Sequence, residues 1–393
     1  MELLENSIQN LLEYIEKEKF AGYDPYDILN SKFPIQKMGK WIPVIATQLH
    51  KRNPINLRPL LGIKKIHSTK GMGLLLTAYV KLYDYSKNSE YLKSIEYIKD
   101  WLLNNTTNYE DCTSWGYDYD YINPEESVKK GFPTVVHHSY IYQGLFEYYK
   151  IFNDENIKTF LIKNISFITN KIPVNIFESG ISYSYNPLSK KVICYNASLH
   201  AAYCLAVGYY FTKSADLYKQ IIDVVNFVIS QQKEDGSWYY SIDNKLIKER
   251  KQIDFHQGFI LESIYEIKSI INLHNQDWEN SIKKGLTFYY NNQFDKNGKS
   301  FWRLPKTHPV DIHNQSQGII TFSKLGEYNK DYLHFAQKIA FWTISNMQSK
   351  KGYFYYRKYK FFINKISYMR WSQAWMLLAL SILKKESTNK PFS

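Results

Sequence analysis

One pattern of residues recurs along most of the chain at a spacing of 57 to 60 positions. Each copy has a polar start, an apolar helix-like run, a short polar turn, a second helix-like run and a short aromatic run. Equivalent starts lie at His137, Asn196, His256, His313 and Arg370, so their separations are 59, 60, 57 and 57 residues. Repetition at this period predicts that each copy is one supersecondary unit that buries its apolar face against its neighbours.

The two helix-like runs of each copy differ in polarity. The copy that starts at Asn196 reads NASLHAAYCLAVGYYF, then SADLYKQIIDVVNFVISQQ, and ends in the aromatic run DGSWYYSID. The first run is apolar and rich in small residues on most faces, whereas the second carries charged residues on one side. The first helix of each pair is therefore expected inside the molecule and the second outside. An earlier copy near Ser68 has the same order.

The chain begins and ends with half a copy. The last copy, YMRWSQAWMLLALSILKK, supplies only an apolar helix, and the N-terminal stretch NSIQNLLEYIEKEKF supplies only an amphipathic one. Pairing them would complete a sixth hairpin and close a ring, which covers the end repeats that an open solenoid leaves exposed. The sequence thus predicts an all-α (α/α)6 toroid over residues 1–393 as one domain, with short β-like aromatic segments at one end, the mouth. The proline-rich residues 21–66 are expected to form an irregular segment near the mouth, and residues 386–393 a disordered tail.

Charge and composition limit the class of partner. Lys and Arg number 50 against 37 Asp and Glu, so the formal charge is +13. That excess favours anionic partners such as acidic sugars or phosphate-bearing lipids. No nucleic-acid-binding motif is visible, and the aromatic and basic stretch 350–365 alternates like a half-buried strand, so nucleic acid is not expected as a partner. The three cysteines form no disulfide or metal pattern and the N-terminus lacks signal-peptide features, which together predict a cytoplasmic location.

The junctions between each aromatic run and the next inner helix should gather at the mouth, and they are unusually polar. The candidates for catalysis are the carboxylates and imidazoles Asp118, Asp120, Asp254, His256, Asp311 and His313. The candidates for substrate binding are His137, His138, Asn196, Gln257, Gln317, Arg370 and Gln373, with the aromatic residues Trp115, Trp238, Tyr240, Trp302, Tyr355 and Trp371. Such a rim suits sugars, whose hydroxyls need hydrogen-bond partners and whose apolar faces stack on aromatic rings.

Each of these candidates also has a structural interpretation. Asp254 and Asp311 precede helices and would serve equally as N-caps, and the histidines that follow them could bond backbone carbonyls. Single aromatic rings more often pack than bind. Arg370 lies on an otherwise apolar helix and needs an anionic partner, which either a structural carboxylate or a carboxylate or phosphate of the substrate would supply.

The chemistry at this rim stays open at the level of sequence. Glycoside hydrolysis needs two carboxylates across the scissile bond, and several aspartates are available. Uronate lyase or epimerase chemistry instead needs a base near the C5 proton of the sugar and a cation that neutralises its carboxylate, and His, Tyr and Arg are available. No motif indicates a zinc site, and no metal or cofactor is predicted.

Two resemblances carry the interpretation further. QQKEDGSW (231–238) resembles the Q-x-x-x-G-x-W pattern of terpenoid-cyclase and prenyltransferase toroids, but the catalytic D-x-D-D of squalene-type cyclases is absent. The segments GYDPYDILNS, NPINLRPLLGI, WGYDYDY, GFPTVVHHSY, DFHQGF, DIHNQSQ and NKISYMRWSQAWM resemble a bacterial and archaeal family that occurs in surface-polysaccharide assembly loci. That resemblance runs nearly end to end and implies a six-hairpin-glycosidase-like toroid with a role in glycan biosynthesis.

Three functional hypotheses follow. The leading one is an enzyme that cleaves, epimerises or otherwise modifies a polysaccharide or glycan precursor, anionic or lipid-linked, in peripheral contact with membrane-bound polysaccharide assembly machinery. The second is a non-catalytic glycan-binding or scaffold subunit of an assembly complex. The third is an isoprenoid-processing enzyme, which would require a deep apolar cavity with an acidic floor.

Overall fold

The computed structural model describes residues 2–389 except 125 and 190, and it is mainly helical. The α-helices are α1 (Glu2–Lys17), α2 (Trp41–Arg52), α3 (Thr69–Ser86), α4 (Glu90–Asn104), α5 (Val135–Phe152), α6 (Glu155–Asn164), α7 (Ser166–Lys171), α8 (Tyr195–Thr212), α9 (Ala215–Ser230), α10 (His256–Ile271), α11 (Gln276–Asn292), α12 (Ile312–Lys324), α13 (Lys330–Met347) and α14 (Trp375–Asn389). A π-helical turn, Met369–Ala374, leads into α14, and short 3-10 turns cover Asp27–Asn30, Ile35–Lys37 and Gly326–Tyr328. No described helix is long and apolar enough to cross a membrane.

Short antiparallel strands lie between the helical hairpins. They are β1 (Thr107–Tyr109), β2 (Cys112–Ser114), β3 (Tyr121–Ile122), β4 (Ser127–Val128), β5 (Val174–Phe177), β6 (Gly180–Tyr183), β7 (Val192–Cys194), β8 (Ser241–Asp243), β9 (Glu249–Arg250), β10 (Val310–Asp311), β11 (Arg357–Lys358) and β12 (Ile363–Asn364). They pair as β1-β2, β3-β4, β5-β6, β7-β8-β9 and β10-β11-β12. In the two larger sheets a strand before one inner helix pairs with a strand of the next copy, for example Cys194 with Ser241.

Six helices form a closed inner ring in the order α3, α5, α8, α10, α12, α14, and α14 returns to contact α3. Their sequences explain the burial. Every residue of α8 from Tyr195 to Gly208 is buried, because apolar and small side chains occur on all faces of this helix. The outer helices are amphipathic and cover the ring, as α9 does with Leu217, Ile221 and Val224 turned inward. The predicted (α/α)6 toroid is confirmed.

The N-terminal helix supplies the outer half of the sixth hairpin. Helix α1 packs against α13 and α14, with Leu4, Leu11 and Ile15 fully buried. The Ser7 hydroxyl donates to Gln348 Oε1 at 2.8 Å, across 341 residues of sequence. The chain ends are thus joined by side-chain packing rather than by a linker, as the half copies predict.

Leu11→Ala is expected to lower the free energy of unfolding by about 2–5 kcal/mol, since it leaves a cavity in the closure between α1 and the ring. Leu3, on the same helix, has 47% of its surface exposed and provides the matched control. Leu3→Ala should change stability by less than about 0.5 kcal/mol. Urea denaturation of both variants measures the difference, and equal effects would mean that α1 does not close the ring.

Residues 21–66 lie against the start of α14 and contain one regular helix, α2, among irregular turns. The backbone N–H of Met369 donates to the carbonyl of Tyr23 at 3.2 Å. A small separate core within the segment includes Ile28, Leu29 and Ile63. At the C-terminus α14 continues to Asn389, so 386–389 of the predicted tail are helical, and 390–393 lie outside the described residues.

Candidate functional site

The N-terminal ends of the inner helices bring several nitrogen-bearing side chains together at the mouth. Lys70 belongs to α3, His137 to α5, His256 to α10, His313 to α12 and Arg370 to the π-helical turn before α14. Burial lowers the pKa of His313 well below its ordinary value, and nearby Lys70, Arg370 and His256 lower it further. The pKa of His137 is lowered in the same way by burial, Lys70 and Arg370. The mouth therefore combines two cationic side-chain types with neutral imidazoles.

Asp254 and His256 form a carboxylate–imidazole pair at the start of α10. Asp254 Oδ1 lies 2.5 Å from His256 Nδ1 and also accepts the His256 backbone N–H at 3.2 Å. Because an ionised carboxylate can only accept, Nδ1 carries a proton, and Nε2 is the nitrogen left to exchange one with a ligand. No described residue hydrogen-bonds Nε2, and 17% of the His256 side chain is exposed. This pair has the arrangement of an oriented general base.

The charge state of Asp254 is set by opposing influences. Burial raises its pKa, but His256 and Arg303, together with the hydrogen bonds from His256, outweigh burial and leave the pKa lowered. Arg303 Nε lies 3.4 Å from Asp254 Oδ2, and the arginine side chain is 42% exposed. Asp254 thus remains ionised, which keeps His256 in the tautomer that can accept a proton.

His313 is enclosed by aromatic rings and has no polar partner. Its ring stacks on Phe255 with centroids 4.5 Å apart and an interplanar angle of 3°, and Trp375 lies at 4.6 Å. Both ring nitrogens are buried without a hydrogen-bond partner among the described residues. Phe255 also stacks on His256 at 4.4 Å, so one phenyl ring separates the two imidazoles. Unpaired buried nitrogens are costly, so we expect a water molecule or a ligand to hydrogen-bond His313.

Asp311, a predicted catalytic carboxylate, is structural. Its Oδ1 accepts the backbone N–H of His313 at 2.9 Å and the indole N–H of Trp371 at 3.0 Å, and its Oδ2 accepts Nε of Arg357 at 2.6 Å. The residue is fully buried as the N-cap of α12. The Arg357 guanidinium is held between the rings of Trp302 and Tyr356, 4.3 Å from each. Asp311 thus acts as an N-cap, and a catalytic role for it stays a prediction.

Asp118 and Asp120 also bind neighbouring protein groups, and a catalytic role for either stays a prediction. Asp118 accepts the Ser68 hydroxyl at 2.6 Å and the Thr69 backbone N–H at 2.7 Å, so it caps the start of α3. Burial raises the pKa of Asp118. Asp120 binds Lys129 at 2.9 Å and the backbone N–H of Lys130 at 2.8 Å beside the β3-β4 hairpin.

Arg370 is satisfied by a structural carboxylate, one of its two predicted kinds of partner. Its Nε donates to Asp24 Oδ2 at 2.7 Å and its Nη2 to Oδ1 at 2.9 Å. The Tyr119 hydroxyl also donates to Asp24 Oδ1 at 2.9 Å. Asp24 comes from the segment 21–66, and nothing in the sequence near Arg370 points to it. Arg370 therefore anchors that segment across the mouth through two of its three nitrogens.

The glutamines predicted to bind substrate instead brace neighbouring copies. Gln257 accepts the backbone N–H of Trp238 at 3.0 Å and donates to the Gly236 carbonyl at 3.1 Å. Gln373 both accepts from and donates to the backbone of Phe354, at 2.8 and 2.9 Å. Each glutamine thus ties an inner helix to the preceding aromatic run. Gln317 is buried as well and donates to Glu262 at 2.9 Å.

Other predicted binding residues belong to the core. Trp115 and Trp238 are buried, and their indole N–H groups donate to backbone carbonyls at the ends of outer helices, at 2.9 and 2.8 Å. Trp115, Trp238, His138 and Asn196 are buried and Tyr355 is half-buried, and a role of these residues in binding stays a prediction. Asn196 accepts from the Cys194 thiol at 2.8 Å, and Tyr355 contacts Tyr353, whose ring faces Tyr14 of α1. Polar neighbours in the sequence suggest that these residues are exposed. The sequence does not show which side of each aromatic run faces the helices.

A set of half-buried aromatic rings remains at the mouth. Tyr240 meets the His256 ring edge to face, with centroids 4.6 Å apart. Trp371 lies 4.7 Å from His313 and 6.1 Å from Tyr26. The half-buried rings here are Tyr26, Tyr121, Tyr185, Tyr240, Trp302 and Trp371. These rings offer the stacking surface that the sequence predicts, although only half of them are among the predicted residues.

Lys70 is a site residue that sequence reasoning missed. It is 7% exposed, and its ammonium nitrogen lies 4.3 Å from the ring centroid of Tyr140 and 5.4 Å from that of Trp375. Burial lowers the pKa of Lys70 well below its ordinary value, and Arg370 lowers it further. No described carboxylate pairs with it. A lone lysine in the first turn of the apolar helix STKGMGLLLTAYV, at the position where other copies carry histidine, was the signal available in the sequence.

Acid should destabilise the fold through its buried histidines. Burial lowers the pKa of both His138 and His200 to about 3 from an ordinary value of 6.5. Between these values the unfolded chain binds more protons than the folded one, so stability falls as the pH drops from 6.5 towards 3. The two residues together should cost about 4 kcal/mol at pH 5 relative to pH 8. Urea denaturation at both pH values measures the loss, and His138→Phe should reduce it by about half.

Comparison with protein-family models and with curated sequences gives no match. Among solved structures, the chain is similar to six-hairpin-glycosidase-like α/α toroids. Cellobiose 2-epimerase from Bacillus thermoamylovorans has a TM-score of 0.64 and 13% identity over 82% of this chain and 88% of that one. The GH76 α-mannanase from Bacteroides thetaiotaomicron has a TM-score of 0.63 and 13% identity over 84% and 90%.

A third toroid matches over almost the whole length. A possible GH105 family member from Klebsiella pneumoniae has a TM-score of 0.63 and 11% identity over 97% of this chain and 93% of that one. At such identities the likeness establishes the fold, and the (α/α)6 toroid inferred from the repeats is the same fold as that of these proteins. What the mouth does chemically has to be argued from its own residues.

Proposed function

We propose that this protein is a carbohydrate-modifying enzyme that removes a proton from a sugar carbon, as an epimerase or a lyase, with His256 as the general base. The observation that carries the proposal is the Asp254–His256 pair at the mouth, in which the carboxylate holds Nδ1 and leaves Nε2 unpaired. Asp254 acts through His256 and is a positioning residue. With Nδ1 held by the carboxylate, Nε2 is the nitrogen positioned to take a proton from the sugar.

The state of the carboxylates favours proton abstraction over hydrolysis. A glycoside hydrolase needs one carboxyl group as acid and a second as base or nucleophile on the other side of the bond. Asp118 and Asp311 are buried caps whose oxygens accept hydrogen bonds from protein groups. Asp254 is committed to His256. The predicted carboxylates therefore do not offer a free pair.

The proposed step balances within this site. Nε2 of His256 takes the proton from a carbon beside a carbonyl or carboxylate, and the electron pair moves into that group as an enolate. Return of a proton from solvent to the opposite face gives the epimer, and His256 then releases its proton to solvent; alternatively, the neighbouring oxygen substituent leaves as an alcohol that takes the His256 proton, which gives the unsaturated lyase product. The half-exposed Arg303 beside Asp254 supplies positive charge that stabilises the enolate. An acidic sugar is accordingly the expected substrate class.

The half-buried rings support a sugar rather than another ligand. Tyr240 and Trp371 flank His256 and His313, and such rings stack on the apolar faces of pyranoses. Similarity in fold to a sugar epimerase and to glycoside hydrolases agrees with this choice. The isoprenoid hypothesis finds no support, because the cavity between α5, α8 and α10, although Glu262 and Glu266 line it, has a volume of only about 20 Å³.

Solvent-deuterium exchange tests the proposal. The full chain is incubated in D2O with oligosaccharides of glucuronate and galacturonate and with neutral cellobiose, and each sugar is then analysed by NMR and mass spectrometry. Deuterium at one ring carbon, or an unsaturated product, is the expected result for an acidic sugar. New reducing ends without deuterium would identify a hydrolase instead. A sugar that binds in calorimetry but gains no deuterium would favour the non-catalytic glycan-binding hypothesis.

We extend the proposal to the assembly of a surface polysaccharide, on the sequence resemblance given above, with a poly- or oligosaccharide precursor as the partner. A cytoplasmic location remains part of this prediction. Deleting the gene in its own cell and analysing the monosaccharide composition of the surface polymer tests the extension. A changed ratio of epimeric sugars, or a missing unsaturated sugar, is expected. An unchanged composition in cells that normally make the protein would contradict it.

A further inference from the structure

Helix α2 presents an apolar face that no described part of the chain covers. Trp41 is 60% exposed, Ile45 54% and Leu49 65%, and Ile42 is exposed as well. At 3.6 residues per turn, positions 41, 42, 45 and 49 fall within about 100° of the helix circumference. Large apolar side chains on a soluble surface are usually scattered, so a continuous stripe of this kind marks an interaction surface.

The opposite face of α2 is held firmly, so the apolar stripe cannot turn inward. Val44, Thr47 and His50 are buried against the segment 21–66. His50 Nε2 lies 3.2 Å from Asp27 Oδ1, and Asp27 also accepts Nε of Arg58 at 2.8 Å. The helix therefore has two faces with separate roles: one packs on the protein and the other is free.

Further apolar side chains extend the surface on either side of α2. Phe33 is 59% exposed and Met38 54%, and both precede the helix. Phe361, at the tip of the β11-β12 hairpin, is 88% exposed. That hairpin is joined to the end of α2, since Asn364 Nδ2 donates to the Asn53 carbonyl at 3.2 Å. We call α2, the turn before it and this hairpin tip the apolar platform.

The charge around the platform has one sign. Between Asp27 and Asp84 the sequence contains no aspartate or glutamate. The exposed cations beside the stripe are Lys32, Lys37, Lys40 and Arg52, and Lys360 lies next to Phe361. A helix with Trp, Ile and Leu on one face and with flanking lysines has the composition that binds at the interface of an anionic bilayer.

We propose that the apolar platform docks the protein on a lipid bilayer with anionic headgroups. Trp41, Ile45 and Leu49 enter the boundary between headgroups and acyl chains, and the lysines neutralise the headgroup charge. A bilayer fits better than a protein partner, because apolar side chains interleaved with cations match acyl chains bordered by anionic headgroups, and the sequence between Asp27 and Asp84 has no carboxylate that the headgroups would repel. The inference is independent of the proposed chemistry.

Docking would bring the mouth close to the membrane surface. Lys51, on α2, donates to the Tyr26 hydroxyl at 3.3 Å, and the Tyr26 ring is 6.1 Å from Trp371. The helix that carries the platform thus also contacts the aromatic rim of the candidate site. A substrate attached to the membrane or lying at its surface would reach the mouth without the protein having to leave the bilayer.

Vesicle sedimentation of the full chain tests the proposal. The probes are vesicles of phosphatidylcholine alone and vesicles in which one lipid in four is phosphatidylglycerol. The protein should sediment with the anionic vesicles, and high salt should release most of it. The double variant Trp41→Glu/Ile45→Glu should reduce the vesicle-bound to free ratio at least tenfold. Ile176, on β5 and 81% exposed, gives the matched control Ile176→Glu, which should bind as the unmodified chain does.

Two results would overturn the proposal. One is that the unmodified chain stays in the supernatant with anionic vesicles, or that the double variant and the control bind equally. The other is that light scattering shows a dimer for the unmodified chain and a monomer for the double variant, while neither protein binds anionic vesicles. In that case a second copy of the chain covers the platform. Circular dichroism of both variants checks that each is folded, so loss of binding reports on the surface itself.

Discussion

Replacing His256 by Gln should slow deuterium incorporation into the sugar by about 10²- to 10⁴-fold, the contribution expected of a general base. Glutamine fills a similar volume and can still hydrogen-bond Asp254, but it cannot accept a proton at the position of Nε2. Asp254→Asn should also slow exchange, because it no longer holds Nδ1 in its protonated form. The measurement is the initial rate of exchange under saturating sugar, compared with the unmodified chain.

The control for this prediction is His274→Gln, an exposed histidine outside the site. Sugar affinity of the His256→Gln variant, measured by calorimetry, should change little, since aromatic stacking at Tyr240 and Trp371 is retained. If His256→Gln exchanges at the rate of the control, His256 is not the base and the proposed function fails. That failure would leave the membrane inference untouched, since vesicle binding involves other residues.

Asp24→Asn should lower the free energy of unfolding by about 3–5 kcal/mol, the cost of leaving a buried charge without its partner. Asp24 and Arg370 are 5% and 7% exposed and make two hydrogen bonds with each other. Neutralising Asp24 would leave Arg370 beside Lys70 with no carboxylate of its own. Segment 21–66 should loosen at the same time, and limited proteolysis of the variant should show new cleavage there.

An exposed ion pair provides the comparison for Asp24. Asp223 binds Lys219 one turn away on α9, and the lysine side chain is 77% exposed. Asp223→Asn should therefore cost less than about 1 kcal/mol. Urea denaturation of both variants measures the contrast. A loss of under 1 kcal/mol for Asp24→Asn would show that the Arg370 charge reaches solvent or another carboxylate, and that the segment is not anchored by this pair.

The fold was accessible from sequence because its signals are local and repeated. The alternation of apolar and amphipathic helices is legible within each copy, and the half copies at the two ends imply closure. The N-cap interpretation of Asp311 was also available, since a cap is defined by the residues that directly follow it. Hydrophobic periodicity does not show which side of a short aromatic run faces the helices and which faces the mouth. The sequence therefore places Trp115 and Trp238 at the site, whereas both are buried.

The hydrogen-bond partners of the site residues could not be predicted from the sequence in the same way. Asp24 and Arg370 are separated by 346 residues, and Asp311 and Arg357 by 46. The glutamines looked like ligands for sugar hydroxyls, but Gln257 and Gln373 satisfy the backbone of the preceding copy. A glutamine amide both donates and accepts, so it can bind either a sugar hydroxyl or a backbone amide. Only the position of the neighbouring copy decides which of the two it binds.

The polar mouth with repeated inner-helix starts was thus determined by the sequence, because hydrophobic periodicity and repeat spacing act over a few turns of chain. Tertiary structure alone decided which of those polar groups are free. Folding pairs Asp24 with Arg370 and Asp311 with Arg357, and it leaves Nε2 of His256, both nitrogens of His313 and the amine of Lys70 without hydrogen-bond partners among the described residues. The physical reason is that a buried polar group without a hydrogen bond is costly, and the partner available to it depends on distance in space rather than along the chain.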